Sequence, residues 1–429
     1  MTAEQQKILN LVRHWVVPAI GCTEPICVAL ATAKATSLLG QKPTHIKASL
    51  SANIIKNAMG VGIPGTGMVG LPIAIALGAL CGEADYGLEV LRNVGPADVE
   101  AAKQYVEEGR ITIELNHDTR EKLYAAVSAT TDDGHTATAI LAREHTNFIH
   151  LERDTLTIAH RELEPQGDGT CCDHGVCLSL KKVYDFATTM PLADIEFINE
   201  ARDLNETAAW DALEGNYGHS LGKTLMRPLG RGIMGDTIFS RILASTSCAC
   251  DARMAGAMIP VMSNSGSGNQ GICATNPVVV FAQENHNTDE ELTRALMLSH
   301  LTAIYIKQHL GTLSALCGCV VASTGAAMGI TYLMGGRYKE MTYAVKNMIA
   351  NLTGMICDGA KPSCTLKLTS GVTTAVLSAI LAMQGESVSS AEGIIEDDVD
   401  QCIANLVSIG ADAMTETDRK VLQIMTSKT

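Results

Sequence analysis

The 429-residue sequence is poor in aromatic residues, poor in charged residues and without an excess of positive charge. Aromatic residues make up 4% of the chain and charged residues 18%, while hydrophobic residues reach 46%, as in folded globular proteins. Lys and Arg number 32 against 46 Asp and Glu, which gives a formal net charge of -14. Nucleic acids and anionic membranes are bound through basic surfaces, so neither is an expected partner.

Leader and nucleotide-binding motifs are missing too. The first residues, MTAEQQKILNLVRHW, have the periodicity of an amphipathic helix and lack the apolar centre of a secretory leader. We therefore expect a cytoplasmic protein whose 14 cysteines are available as free thiols. A glycine-rich run at 59–72 lacks the phosphate-binding spacing, because no Lys-Ser or Lys-Thr pair follows it. This run is either a tight turn or a set of backbone N–H groups that bind a carboxylate.

Three long segments, 254–283, 311–336 and 368–385, contain no charged residue. Their length would suit membrane spans. They are rich in Gly, Ser, Thr and Asn, however, and are therefore only moderately hydrophobic. We expect them to be buried segments of a large globular core, with no membrane as a partner.

Hydrophobic periodicity divides the chain into a large helical part and a smaller part with strands. Apolar residues recur at helical spacing in 5–17 and from 179 onward, whereas 44–52 and most of 111–164 alternate as strands do. The expected fold class is α+β, a mainly helical catalytic core with a smaller antiparallel α/β unit. The predicted units are 1–85 (first part of the helical core, with strand 44–52 joining the small sheet), 86–165 (the antiparallel α/β unit), 166–177 (a linker) and 178–429 (the helical catalytic core).

Two cysteines, Cys357 and Cys364, flank a predicted loop, because Asp358 and Pro362 between them disfavour a helix. A loop can direct two sulfurs at one centre, and Cys317 upstream can add a third. Three protein thiolates leave one position of a metal centre open for substrate, which suits catalysis. The alternative is that these thiols are small buried apolar side chains, as free Cys usually is.

A second group of possible metal ligands lies in the predicted linker, at Cys171, Cys172, His174 and Cys177. Adjacent cysteines are awkward partners in a tetrahedral site, which disfavours this alternative. Neither group has the spacing of a ferredoxin run or of a paired CxxC zinc site.

The stretch GCTEP at 21–25 joins a helix stop at Pro18 to a second apolar helix predicted over 26–39. Thr23 is the expected N-cap, and Pro25 suits the first turn. Cys22 would then lie at the positive end of the helix dipole, which lowers a thiol pKa and favours the thiolate. The alternative is that Cys22 is a small buried residue in the turn.

Five stretches together carry a family resemblance: GCTEP (21–25), PGTGMVGLPIA (64–74), SNSGSGNQGI (263–272), SALC (314–317) and MICDGAKPSC (355–364). They resemble the L-cysteine desulfidase family, which is related to the iron–sulfur L-serine dehydratase alpha chains. The resemblance implies a 4Fe-4S cluster held by Cys317, Cys357 and Cys364, with one iron free for substrate and no pyridoxal phosphate. It also implies that Cys22 is the general base. Cys273 and Cys319 lie beside these motifs and are expected to be buried thiols.

The reaction implied by the resemblance is β-elimination from L-cysteine, which gives pyruvate, ammonia and sulfide. The expected partner is this small amino-acid substrate, and a homodimer is left open. The expected substrate-binding residues are Ser263, Asn264, Ser265, Asn269 and Gln270, with Asn53, Lys56 and Asn57 as weaker candidates. The alternatives are L-serine dehydration at the same cluster, and a zinc-binding or cluster-free protein that binds a small molecule.

Overall fold

The computed structural model describes residues 1–163 and 175–427. Most of the predicted linker 166–177 therefore lies outside the described residues, as do Cys171, Cys172 and His174 of the alternative metal site. Helices dominate the described part of the chain, and most of the strands form one small sheet. The predicted α+β class with a mainly helical core is confirmed.

The N-terminal part alternates helices with two strands. In chain order it contains α1 (Ala3–Trp15), β1 (Pro18–Ile20), α2 (Thr23–Leu39), β2 (His45–Leu50), α3 (Ala52–Ala58), α4 (Leu71–Leu80) and α5 (Pro96–Glu107). Helix α1 begins with a capping box, in which Thr2 and Gln5 exchange side-chain and backbone hydrogen bonds. It ends before Pro18, as predicted, because proline cannot continue the helical hydrogen bonds.

A six-stranded sheet has the order β3-β2-β4-β5-β6-β7. Its later strands are β3 (Ile111–Leu115), β4 (Tyr124–Thr130), β5 (Thr136–Ala142), β6 (Phe148–Arg153) and β7 (Leu156–His160). Helix α2 covers the buried face of β4 and β5, whose residues alternate in burial. One detail differs from the predicted antiparallel unit, because β2 and β3 run parallel. The connection between them passes through α3, α4 and α5, which is long enough for the crossover that a parallel pair requires.

The rest of the described chain is almost entirely helical. Its elements are α6 (Leu180–Thr189), α7 (Leu192–Ile195), α8 (Asn199–Glu214), α9 (Leu221–Met226), α10 (Pro228–Met234), α11 (Ile238–Met254), β8 (Pro260–Met262), α12 (Gly268–Glu284), α13 (Asp289–Leu310), α14 (Gly318–Leu333), α15 (Tyr338–Leu352), α16 (Cys364–Met383), α17 (Val399–Ser408) and α18 (Thr415–Thr426). Helix α14 is buried nearly throughout, and α12, α13, α15 and α16 pack around it. A Cβ on Gly325 of α14 would lie 2.2 Å from Ser299 O on α13, so glycine is needed for this close approach. Small side chains thus take the place of aromatic rings in this core.

Helix α16 is long and apolar enough to cross a membrane by length and composition alone, with a mean hydropathy of 1.5 over its best window. Half of that window is buried inside the protein. The helix packs against α11, α14 and α15, which is the arrangement of a core helix.

Strands β1 and β8 form a two-stranded antiparallel pair that joins distant parts of the chain. The GCTEP turn follows β1, and the SNSGSGNQG run follows β8. Buried apolar residues form two main clusters, one around α1 and the helices after 176, the other around α2, α4 and the sheet. Helices α2 and α4 thus pack with the sheet, and the predicted boundaries at 85 and 178 stay predictions.

Candidate active site

Cys317 and Cys357 lie on two neighbouring segments that pair through their backbones. The Cys317 N–H donates to Met355 O at 2.9 Å, and the Cys357 N–H donates to Ala315 O at 2.7 Å. Cys317 is the N-cap of α14, and Cys364 is the first residue of α16. The three predicted cluster ligands therefore stand at the starts of two core helices and on the loop at 357–364, here called the cysteine loop.

Two lysines hold the cysteine loop in place. Lys361 Nζ donates to Asp358 O at 2.8 Å, and Lys367 Nζ donates to Ile356 O at 2.8 Å. Both ammonium groups also pair with the Asp358 carboxylate. Burial alone would raise the pKa of Asp358, but the hydrogen bonds from Lys361 and Lys367 lower it to about 2. The loop is thus held by ion pairs at neutral pH.

Neighbouring thiols and burial set the charge of the predicted ligand sulfurs. The Cys319 thiol donates to the Cys317 sulfur and lowers the pKa of Cys317 to about 7. Burial raises the pKa of Cys357 to about 11 and also raises the pKa of Cys364. Lys307 lies close enough for its positive charge to act on both Cys317 and Cys357. The Cys317 sulfur is therefore the most easily deprotonated of the three.

Cys22 is the N-cap of α2, one residue before the predicted cap, and is buried. Its Sγ donates a hydrogen bond to Glu24 Oε2 at 3.0 Å. Burial raises the pKa of Cys22 well above its ordinary value, and the negative charge of Glu24 raises it further. The prediction of a lowered pKa at this helix start is therefore wrong. Cys22 is a thiol in this structure, and its proton points at a carboxylate.

Glu24 is buried beside Cys22 and accepts hydrogen bonds at both of its oxygens. Thr23 Oγ1 donates to Glu24 Oε2 at 3.1 Å, and Asn57 Nδ2 donates to Glu24 Oε1 at 2.9 Å. Burial would raise the pKa of Glu24, but the charge of His145 and the hydrogen bonds from Cys22 and Asn57 lower it. Glu24 is therefore a carboxylate at neutral pH, and it accepts the hydrogen bond of the Cys22 thiol.

Helix α3 links the GCTEP turn to the cysteine loop. The Asn57 side chain of α3 contacts Glu24, and the Asn57 carbonyl accepts a hydrogen bond from the Ala360 N–H at 3.4 Å. The preceding side chain, Lys56, donates to Cys357 O at 3.4 Å. The catalytic candidate and the predicted ligands thus border the same buried region, although they are far apart in sequence.

The first three predicted substrate residues of the SNSGSGNQG run use their side chains within the fold. Ser263 Oγ donates to Val17 O at 2.6 Å, and Ser265 Oγ donates to Asn264 Oδ1 at 2.8 Å. Asn264 Nδ2 in turn donates to His300 O at 3.1 Å. These contacts hold the run against β1 and α13. The substrate role of Ser263, Asn264 and Ser265 stays a prediction.

Asn269 and Gln270 stand on the first turn of α12, near the thiols. Cys250 Sγ donates to Asn269 Oδ1 at 3.6 Å. The Gln270 side chain packs against Gly318, the residue after Cys317. Gln270 Oε1 is buried and has no hydrogen-bond partner in the part of the chain that the structure describes. Gln270 therefore has a free acceptor beside a predicted ligand.

Asn53 and Lys56 face the C-terminal helix instead. Asn53 Nδ2 donates to Asp418 Oδ2 at 2.5 Å, and the Lys56 ammonium forms an ion pair with the same carboxylate. A cavity of about 250 Å³ between α3 and α18 adjoins these side chains. The Asn57 Oδ1 atom, by contrast, is buried without a partner among the described residues. Asn57 is thus the better placed of the three weaker candidates.

Comparison with known proteins identifies the family. Residues 85–423 match the family model described as serine dehydratase alpha chain. The chain belongs to this family. A UPF0597 protein of Bacteroides thetaiotaomicron is 60% identical over 426 residues, with 99% of each chain covered. A UPF0597 protein of Porphyromonas gingivalis is 50% identical over 431 residues, covering 100% of this chain and 99% of its own.

Membership of the serine dehydratase alpha chain family confirms the predicted relationship and makes the protein a serine dehydratase-like lyase. Sequence reasoning nevertheless missed several ionisable residues around Cys22. Glu24, His145, Arg253 and Lys307 are all buried. Only Glu24 lies in a recognised motif, GCTEP, where the Cys22 thiol is the more obvious catalytic group. Nothing in the local sequence distinguishes the other three from surface charges.

The ion pair between Lys56 and Asp418 predicts an asymmetric loss of stability. Asp418→Ala should lower the free energy of unfolding by about 3 kcal/mol, because it leaves a buried ammonium without a counter-ion. Lys56→Met should cost less, since Asp418 is 17% exposed against 1% for Lys56 and can be hydrated. Urea unfolding followed by circular dichroism measures both losses.

The matched control for this experiment is Glu416→Ala on the same helix, which removes an exposed pair with Arg419. Exposed pairs of this kind contribute about 0–1 kcal/mol, so the control should be nearly neutral. Equal losses for Asp418→Ala and Lys56→Met would contradict the expected asymmetry.

Proposed function

We propose that the protein is a 4Fe-4S-dependent lyase that converts L-cysteine into pyruvate, ammonia and sulfide by β-elimination. Its membership of the serine dehydratase alpha chain family supports elimination from a small amino acid with a β leaving group. The observation that carries the proposal is the backbone pairing of the Cys317 and Cys357 segments, with Cys364 at the end of the same loop.

The donor set suits a cluster better than a single ion. Within 1–163 and 175–427, no three His, Cys, Asp or Glu side chains form a group that could hold one metal ion. In a cluster each thiolate binds a different iron, so the sulfurs stand further apart. Cys317 interacts electrostatically with both Cys357 and Cys364, which is consistent with three sulfurs around a common space. All three donors are thiols, the usual ligands of iron–sulfur clusters.

When bound, a 4Fe-4S cluster supplies a Lewis-acidic iron that polarises the leaving group. The chain's own residues supply the proton transfer. The Cys22 sulfur takes the Cα proton while the Cys22 proton passes to Glu24 Oε2, which lies 3.0 Å away. Cleavage of the Cβ–S bond releases sulfide and leaves aminoacrylate, which hydrolyses to pyruvate and ammonia without further catalysis.

Two free acceptors suit the ammonium group of an amino acid. Asn57 Oδ1 and Gln270 Oε1 are both buried and lack partners among the described residues. Asn57 is hydrogen-bonded to Glu24, so an ammonium bound there would hold Cα beside Cys22. Thiols that must stay reduced suit a cytoplasmic enzyme, which is the proposed location.

L-Serine is the second candidate substrate, because the matching family model is described as serine dehydratase alpha chain. The same residues would then eliminate hydroxide instead of sulfide. Hydroxide is the poorer leaving group, so serine needs stronger polarisation of the departing atom. We therefore expect L-cysteine to react faster at this site.

The test is an anaerobic assay of reconstituted protein with L-cysteine and L-serine in parallel, measuring pyruvate, sulfide and iron on one preparation. The proposal expects pyruvate and sulfide in equal amounts from L-cysteine, with kcat/KM above that for L-serine. Release of pyruvate from L-serine but not from L-cysteine would make L-serine the substrate instead. Iron-loaded protein that releases pyruvate from neither amino acid would overturn the lyase assignment.

A further inference from the structure

A buried arginine lies next to Cys22 with no partner for two of its nitrogens. Arg253 stands in the last turn of α11 and is 3% exposed. Its Nε and Nη2 have no hydrogen-bond partner among residues 1–163 and 175–427. Burying a guanidinium without an opposite charge is costly, so such a group is retained where an anion binds it. The proposed reaction steps do not use Arg253.

The fold makes a specific place for this guanidinium. A Cβ on Gly268, in the SNSGSGNQG run, would lie 2.3 Å from Arg253 Nε, so only glycine leaves room there. Arg253 shares a face of α11 with Cys250, one helical turn earlier, and Cys250 contacts Asn269. Its charge also acts on Cys22 and His145. The guanidinium therefore lies at the edge of the buried region that Cys22 and the cysteine loop border.

Neighbouring groups leave Arg253 Nε and Nη2 without a hydrogen-bond acceptor in the described chain. Both oxygens of Glu24 already accept hydrogen bonds, from Cys22, Thr23 and Asn57. Burial raises the pKa of Cys22, so its thiol carries no negative charge at pH 7. The carboxylate of a bound molecule would supply acceptors for both nitrogens.

The unpartnered atoms of this region match the two charged ends of an amino acid. Arg253 offers two N–H donors, and Asn57 Oδ1 and Gln270 Oε1 are acceptors without partners in the described chain. Donors suit a carboxylate, and acceptors suit an ammonium. Arginine binds a carboxylate through two parallel hydrogen bonds, which fix its orientation as well as its position.

We propose that Arg253 binds the α-carboxylate of the amino-acid substrate, an inference that rests on the proposed function and names its carboxylate anchor. With the carboxylate on Arg253 and the ammonium on Asn57 and Gln270, two substituents of Cα are fixed. With these two substituents fixed, the Cα–H bond can point towards Cys22. Arg253 would thereby select α-amino acids over amines and amino-acid amides.

The test uses ligands that cannot react. L-Alanine carries both charged groups but no leaving group, and L-alaninamide lacks the carboxylate. Calorimetry on anaerobically reconstituted protein should show L-alanine binding about 100-fold more tightly than L-alaninamide. Arg253→Met should weaken L-alanine about 100-fold and leave L-alaninamide unchanged. Arg253→Lys should weaken L-alanine about 10-fold, because lysine cannot form two parallel bonds.

Arg294→Met is the matched control. Arg294 is a partly buried arginine of α13 whose Nη1 donates to Ala187 O and Met190 O, so its role lies within the fold. That variant should keep the wild-type affinity for L-alanine. If Arg253→Met does not fold, Arg253→Lys remains decisive, since wild-type affinity in this variant overturns the proposal.

Three further outcomes would also overturn the carboxylate site: wild-type protein that binds both ligands equally, Arg253→Met with wild-type affinity, or Arg253→Met that loses iron together with L-alanine binding. The last would make Arg253 a structural residue of the cysteine site. The proposed function fails separately. If L-alanine binding depends on Arg253 but neither amino acid gives pyruvate, the carboxylate site is supported and the lyase assignment is wrong. If pyruvate is formed but L-alanine binding does not depend on Arg253, the lyase assignment is supported and the carboxylate site is wrong.

Discussion

Replacing Cys317, Cys357 or Cys364 by Ser is expected to reduce iron in the reconstituted protein from about four atoms per chain to a small fraction of that. A serine hydroxyl is a much poorer ligand for iron than a thiolate, and only three protein ligands are proposed to hold the cluster. Lyase activity should fall with the iron. Iron and sulfide analysis, with absorbance in the 400 nm region, measures the loss in anaerobic preparations.

Cys319→Ser and Cys402→Ser are the controls for the ligand set. Cys319 donates a hydrogen bond to Cys317, and a serine there can still donate, so iron should remain near the wild-type amount. Cys402 is a buried thiol of α17 whose Sγ donates to Glu396 O, six residues earlier, at 3.3 Å. If Cys319→Ser loses iron and Cys317→Ser keeps it, Cys319 is the cluster ligand and Cys317 is not.

Elements that depend on their own residues could be predicted from the sequence. The helix before Pro18, the helix predicted over 26–39 and the alternating strands β4 and β5 all follow from local spacing and from proline. The parallel pairing of β2 with β3 could not be predicted in the same way. Strand direction depends on the path of the connection between two strands, and alternation is the same in parallel and antiparallel neighbours.

The hydrogen-bond and ion-pair partners of buried polar groups also could not be predicted from the sequence. Glu24 meets Asn57 across 33 residues, and Lys56 meets Asp418 across 362. Such contacts arise only after α2, α3 and α18 have packed. Arg253 illustrates the same limit, because its sequence neighbours do not indicate that it is buried or that Gly268 makes room for it.

Cys22 shows how a correct local feature led to a wrong charge state. The helix start after Gly21 is present, and a helix N-terminus typically contributes about 0.3–1 kcal/mol towards an anion. Full burial can raise a thiol or carboxyl pKa by about 3–5 units, which is several times larger. The adjacent Glu24 carboxylate adds repulsion. The resting thiol therefore needs a proton acceptor, and Glu24 is placed to be one.

Cys22→Ala should leave iron content and cluster absorbance nearly unchanged but lower kcat for L-cysteine by about 10²–10⁴-fold, the usual loss when a general base is removed. Cys22 is hydrogen-bonded to Glu24, and its turn is linked to the cysteine loop through Asn57 of α3. In the proposed function it faces the substrate and does not bind iron. Iron and pyruvate release should be measured on the same anaerobic preparation.

Cys27→Ala is the matched control for Cys22→Ala, because Cys27 is a fully buried thiol on the same helix, and its loss should cost stability but little turnover. Glu24→Gln tests the proton path, since an amide can still occupy the carboxylate's position but cannot take the Cys22 proton. It should lower kcat while keeping iron. If Cys22→Ala loses iron in proportion to activity, Cys22 is a ligand or a structural residue. If iron and activity both survive, another group removes the Cα proton, and the GCTEP turn serves only to start α2.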